Sequence, residues 1–188
     1  AACLADGKSK VVVVDFDLRK RTLSKKLNHC HKNKGASNFI YDKSLTVDDI
    51  IVKDVHPGLD LVPAGQIPPN PVELLKRPRL DLLLEELRKR YDYILIDNVP
   101  IEIVADASII NRVTDVTLFV IRAGSVDRRM LGLVEKMYQE NKLKNMGVIL
   151  NGSEVRSGYG YNYGYGYGYG YGYGYGYGYG YGYGEKES

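Results

Sequence analysis

Val11-Val12-Val13-Val14-Asp15-Phe16-Asp17-Leu18-Arg19 is a fully apolar run that ends in two carboxylates, one residue apart, and then an arginine. Four consecutive valines do not suit a strand with one wet face. They suit a strand buried on both faces, as in parallel sheets with helices above and below. Tyr93-Ile94-Leu95-Ile96-Asp97 repeats the pattern. Ligands of such sheets bind outside the carboxyl ends of the strands, so Asp15, Asp17 and Asp97 are expected to converge at one sheet edge. Hard carboxylate oxygens beside a basic residue are what a magnesium ion and the phosphates it bridges require, which predicts a nucleotide site. The competing reading is that Asp15 and Asp97 merely end strands and cap the helices after them. Two strands with matching ends favour the site.

Around these strands the chain alternates strand and helix, which predicts an α/β, doubly wound, mostly parallel sheet. Residues 1–6 read as the end of a helix closed by Gly7. A short helix follows Arg21, a polar stretch over 28–38 reads as a loop, and 46–51 reads as a helix capped by Thr46 or Ser44. Leu59-Asp60-Leu61-Val62-Pro63 is a short strand, followed by the turn Ile67-Pro68-Pro69-Asn70-Pro71, which can be neither helix nor central sheet. Residues 72–76 form a helical turn or two. Pro78 opens a helix whose buried stripe is Leu80, Leu83, Leu84 and Leu87. A helix over 104–112 leads to a strand over 116–121. Asp127 caps a helix with Met130, Leu133, Val134, Met137 and Tyr138 on one face, and the last strand ends at Asn151.

With 188 residues and 44% apolar content, the chain suits one domain with a substantial core. Two cysteines, Cys3 and Cys30, provide no disulfide framework and point to a reducing compartment. His29-Cys30-His31 lacks the second ligand cluster that a zinc site needs and reads as surface. No apolar run approaches the ~18 residues of a membrane span, and no charged-then-apolar leader opens the chain, so the expected location is cytoplasmic. The net charge of +3 conceals seven basic residues (Arg19, Lys20, Arg21, Lys25, Lys26, Lys32, Lys34) and no acid between 18 and 34. Most suit a solvated face, and Arg19 to Arg21 stand nearest the carboxylates. Aromatics do not interleave with this patch, so nucleic acid is not the expected partner. Gly7-Lys8-Ser9 looks like the end of a phosphate-binding loop, but it precedes a strand whereas such loops follow one.

The composition changes near residue 157, dividing the chain into 1–156 and a low-complexity tail, 157–188. Tyrosine occupies every odd position from 159 to 183: Tyr159, Tyr161, Tyr163, Tyr165, Tyr167, Tyr169, Tyr171, Tyr173, Tyr175, Tyr177, Tyr179, Tyr181 and Tyr183. Glycine at nearly every second position costs too much backbone entropy for a stable isolated strand, which predicts a disordered tail. Two uses are open for it: self-association by ring stacking, or multiple phosphorylation.

These segments together resemble the catalytic domain of the bacterial tyrosine kinases (BY-kinases) of the capsule and exopolysaccharide group, a branch of the deviant Walker P-loop ATPases. Val11 to Arg19 resembles the family's second Walker segment, and the stretch from Tyr91 to Pro100 its Walker B segment. Leu61-Val62-Pro63-Ala64-Gly65, Pro68-Pro69-Asn70-Pro71, Glu73-Leu74-Leu75 and Gly147-Val148-Ile149-Leu150-Asn151-Gly152 resemble stretches peculiar to these kinases, as does a tyrosine-rich tail. Asn98-Val99-Pro100 stands where the family usually has Thr-Pro-Pro. The first Walker segment, with its strand, would lie upstream of Ala1; without it, weak ATP binding and impaired stability are expected.

The resemblance implies a protein-tyrosine kinase, using ATP and Mg2+, that autophosphorylates the thirteen tail tyrosines and regulates polysaccharide synthesis and export. It implies that Asp15 orients or deprotonates the acceptor hydroxyl, that Asp17 supports magnesium and phosphate geometry, and that Asp97 holds magnesium. Arg19 would contact phosphate or a neighbouring subunit, and Asn151 would face adenine. Implied partners are a membrane-embedded polysaccharide co-polymerase activator, further copies of the chain receiving the tail in trans, and a cognate tyrosine phosphatase, all at the inner face of the plasma membrane. Two alternatives stay open: an ATPase that switches partners, and a non-catalytic module whose tail self-associates.

Overall fold

Strand β1 (Val11–Asp15) pairs in parallel with β3 (Leu59–Val62) on one side and with β4 (Tyr93–Asp97) on the other, and β2 (Val52–His56) extends the β3 edge in the antiparallel sense. The valine run is thus a central strand, as its uniform apolarity requires. In this computed structural model the described residues are 1–5, 8–29, 34–99, 109–125, 127 and 129–153. Gly7, the Cys30-His31 pair, residues 104–108 of the expected helix and all thirteen tail tyrosines lie outside them.

Strands β5 (Thr117–Arg122) and β6 (Met146–Asn151) form a separate two-stranded parallel sheet. The described helices are α1 (Thr22–Lys26), α2 (Ala36–Tyr41), α3 (Pro71–Leu75), α4 (Arg79–Arg88) and α5 (Arg129–Gln139). The fold is α/β of the P-loop type with a mostly parallel sheet. Among the described residues, no helix is long and apolar enough to cross a membrane.

Side-chain alternation along β1 sends Val12 and Val14 into one core and Val11 and Val13 into another. The first core is the larger: Phe39 and Ile40 of α2, Leu74 and Leu75 of α3, and Leu80, Leu83, Leu84 and Leu87 of α4. The four leucines of α4 recur at helical spacing and are all buried, each contributing about 2 kcal/mol of apolar burial. Val11 packs with Ala5 and Leu59, and Val13, Val55 and Leu95 flank them.

Three expectations are corrected. Residues 46–51 make successive turns rather than a helix: the Thr46 backbone N–H and hydroxyl both donate to Asp49 Oδ2, at 2.8 and 2.7 Å, and close a turn. The chain then enters β2, whose return through Pro57-Gly58 was not anticipated; Gly58 has φ +71°. The polar stretch 28–38 contains the start of α2, because tertiary burial of Ala36, Ser37, Phe39 and Ile40 outweighs weak local helix preference. On α5, Val134 and Met137 are buried, but Leu133 and Tyr138 are exposed. Asp127 Oδ1 does accept the Arg129 backbone N–H at 2.9 Å, at the start of that helix.

Candidate active site

Strands β1 and β4 run in parallel with Asp15 opposite Asp97, and the Phe16 N–H donates to the Asp97 carbonyl at 2.8 Å. Two strand ends are therefore locked side by side, and their carboxylates leave the sheet at one edge. From that shared edge they diverge.

Asp15 is fully buried and turned inward. Its Oδ1 accepts the Asp17 N–H at 3.0 Å, and its Oδ2 accepts both the Ser24 N–H at 2.9 Å and the Ser24 hydroxyl at 2.5 Å. Ser24 is itself buried, and its oxygen accepts the Ala64 N–H at 3.0 Å. Asp15 thus ties β1, α1 and the loop after β3 together. With both oxygens engaged inside the protein, its geometry is that of a positioning residue rather than of a group facing an acceptor hydroxyl.

Asp17 is 6% exposed, with Oδ1 accepting the Lys20 N–H at 2.9 Å and Oδ2 accepting the Thr22 hydroxyl at 3.1 Å. Burial pushes its pKa up, but donation from Lys20, Thr22 and the Arg19 backbone outweighs this, and the net direction is below the usual 3.8. Asp97 moves the opposite way. Its partial burial, then the charges of Asp15 and Asp17, raise its pKa, and the Lys26 ammonium opposes them. Asp97 is the exposed member of the three, so solvent tempers these influences.

Asp17, Thr22, Leu23, Lys26, Asp97 and Asn98 line one open cavity of about 330 Å³. A second cavity of similar volume, lined by Tyr138, Gln139, Asn141, Leu143, Asn145 and Met146, carries no charged side chain. The carboxylate cavity is therefore the candidate site. Two carboxylates fit magnesium, which commonly takes one or two from the protein and completes its shell with water and phosphate oxygens. Among the described residues no cluster of three or more potential metal-binding side chains forms, because Asp15 is turned away.

The other expected site residues are not brought into the cavity. Arg19 stands on the exposed turn after β1. Asn151 ends β6 opposite Arg122 in the two-stranded sheet, where its carbonyl accepts the Ala123 N–H at 2.8 Å. Thr22 and Ser24 are not singled out by the sequence, Lys26 reads there as part of a solvated basic face, and the 63–65 loop carries only the family resemblance. Their spacing from Asp15 and Asp17 carries no local signature, since the turn through Arg21 brings them round. Arg21 has φ +53° and ψ +44°, donates from Nη1 to the Gly65 carbonyl at 3.1 Å, and leaves its buried Nε without a partner among the described residues.

Residues 1–146 match the AAA domain family. The chain is 32% identical over 151 residues to the tyrosine-protein kinase CpsD of Streptococcus agalactiae serotype III, covering 80% of this chain and 65% of that protein. It is 34% identical over 152 residues to the tyrosine-protein kinase etk of Escherichia coli K12, covering 81% of this chain and 21% of that protein. The solved kinase domain of Escherichia coli ETK superposes with a TM-score of 0.73 at 32% identity, over 87% of this chain and 64% of that one. The chain therefore spans just under two thirds of the CpsD relative and about a fifth of etk. The chain belongs to the AAA domain family, has its P-loop type of α/β fold, and is similar over most of its length to bacterial tyrosine-protein kinases.

Proposed function

We propose that the chain is the catalytic part of a protein-tyrosine kinase that transfers the γ-phosphoryl group of Mg-ATP to tyrosines of its own 157–188 tail, in the control of capsular or exopolysaccharide synthesis. The observation that carries this reading is the joint lining of one cavity by Asp17 and Asp97, at the carboxyl ends of parallel strands. Kinship with CpsD and etk and the thirteen regularly spaced tyrosines support it.

Asp17 and Asp97 would hold the magnesium ion, which supplies charge neutralisation on the phosphates when bound. Asp17 is kept ionised by its donors. Asp15, through Ser24, keeps the turn bearing Asp17 in place. In the transfer, the bond from the tyrosine oxygen to the γ-phosphorus forms as the bond to the bridging oxygen of the departing ADP breaks. The phenol, with an ordinary pKa near ~10, gives up its proton as transfer proceeds rather than by prior ionisation. The tail would serve as acceptor within an oligomer, with a membrane-embedded activator and a phosphatase as further partners. Each phosphate adds about −1.5 to −2 charge, so five would outweigh the net +3 and alter docking of the tail.

The test is intact mass after incubation with Mg-ATP and an activator, for the chain, for the chain extended upstream by a first Walker segment, and for that extended form carrying Asp97→Asn or with all tail tyrosines changed to phenylalanine. Phosphate on the extended form that keeps Asp97 and the tyrosines is the expected result. Inorganic phosphate released without any gain in protein mass would replace this reading with the ATPase, and neither product with the self-associating module.

A further inference from the structure

Lys26 lines the carboxylate cavity from the last turn of α1. Lys34, Lys53, Lys89, Lys136 and Lys142 each pair with a carboxylate within 4.0 Å, whereas Lys26, among the described residues, makes neither an ion pair nor a side-chain hydrogen bond. Its charge nevertheless reaches Asp97 and opposes the influence of Asp15 and Asp17. An exposed lysine thus lines the cavity with Asp17 and Asp97, and its charge is felt at Asp97 without an ion pair forming among the described residues.

We propose that Lys26 is a phosphate-binding residue of this site, its ammonium contacting the terminal phosphate of a nucleotide whose magnesium ion Asp17 and Asp97 would hold. The inference rests on the reading of the cavity as a Mg-nucleotide site and names the residue that takes the anionic end. A divalent ion between two carboxylates is already neutralised, so a polyphosphate brought in with it needs further positive charge. A lysine supplies this as a compact, mobile point charge. Thr22 and Asn98 are the neutral polar residues of the lining, and Leu23 is apolar, so among the described residues Lys26 is the one cation the lining provides.

The same position makes Lys26 unfavourable for a bare divalent ion, which it repels. The two effects have opposite signs, and this separates a phosphate ligand from a merely structural or general electrostatic role. Calorimetric titration of the 188-residue chain with Mn2+ alone, and with a Mg-bound ATP analogue carrying a non-hydrolysable β,γ bridge, reads both.

Lys26→Gln is expected to weaken analogue binding about tenfold, the loss of one charge-assisted contact, while Mn2+ alone binds as well or more tightly. Lys26→Arg is expected to restore most of the analogue affinity. Lys25→Gln, on the same helix but outside the lining, should change neither by more than about twofold, since it alters only the diffuse surface potential.

Analogue binding unchanged by Lys26→Gln, or weakened equally by Lys25→Gln, overturns the role of Lys26. If Asp97→Asn still abolishes Mn2+ binding in that case, the site reading survives. If neither probe binds, or both bind unaltered by Asp17→Asn and Asp97→Asn, the site reading falls and the inference with it.

Discussion

Asp15 and Asp97 are direct partners in the parallel register of β1 and β4, yet one carboxylate is sealed inside the protein and the other opens to solvent. The difference arises in the segments immediately after the two strands. Beyond Asp15 the chain turns through Arg21 into α1 and brings Ser24 back onto the carboxylate, whereas Asn98 Oδ1 accepts the Val99 N–H at 2.9 Å and, among the described residues, no side chain donates to the Asp97 carboxylate.

Ser24→Ala is expected to destabilise the fold by about 1–3 kcal/mol. It removes a buried donor to Asp15 and leaves the Ala64 N–H without its acceptor. Urea unfolding monitored by circular dichroism should show a lower midpoint with an unchanged slope. An unchanged midpoint would show that water replaces the hydroxyl.

Asp97→Asn is expected to stabilise the metal-free protein at neutral pH. The folded pKa of Asp97 lies above 3.8, so its ionisation costs stability as pH rises from the unfolded value through the folded one. Solvent screening keeps the gain below about 1 kcal/mol. The difference between mutant and parent should fade below pH 3.8, where the carboxyl is protonated in both states. Asp17 has the opposite sign: its depressed pKa contributes stability present above 3.8 and lost as pH falls through the folded value. Thermal melts of Asp97→Asn and Asp17→Asn across acid pH should therefore diverge in opposite directions.

Gly35→Ala and Gly132→Ala should also differ in sign. A Cβ at Gly35 would come within 2.3 Å of the Pro63 carbonyl oxygen and 2.4 Å of the Gly65 nitrogen, both backbone atoms of the loop that Ser24 and Arg21 hold. A loss of about 3 kcal/mol or more is expected. At Gly132, in α5, a Cβ meets nothing within 4 Å, and helix propensity alone should add up to about 1 kcal/mol. Denaturant midpoints for the pair check both.

Tyr91→Phe should cost about 1–2 kcal/mol. The tyrosine hydroxyl donates to Asp60, which also accepts Lys53 Nζ at 2.8 Å and the Asp54 N–H at 2.9 Å. This cluster ties the β2–β3 hairpin to the entry of β4. Lys53→Met combined with Tyr91→Phe should be less than additive, because both act on one carboxylate. Additive losses would show that the two contacts are independent.

The amino-acid order alone determined the central strand, the parallel sheet and the leucine face of α4, because continuous apolarity and helical spacing are local properties that packing has no reason to override. It also placed Asp15, Asp17 and Asp97 at one sheet edge, since strand ends in a parallel sheet share a side. Only the tertiary structure decided which carboxylates face the cavity. That depended on Ser24 arriving over Asp15, on Arg21 accepting a left-handed turn, and on Gly35 admitting the 63–65 loop, contacts between residues as much as 44 positions apart. Helix α2 and strand β2 were illegible for the same reason: their local preferences are weak, and their stability comes from what they are buried against.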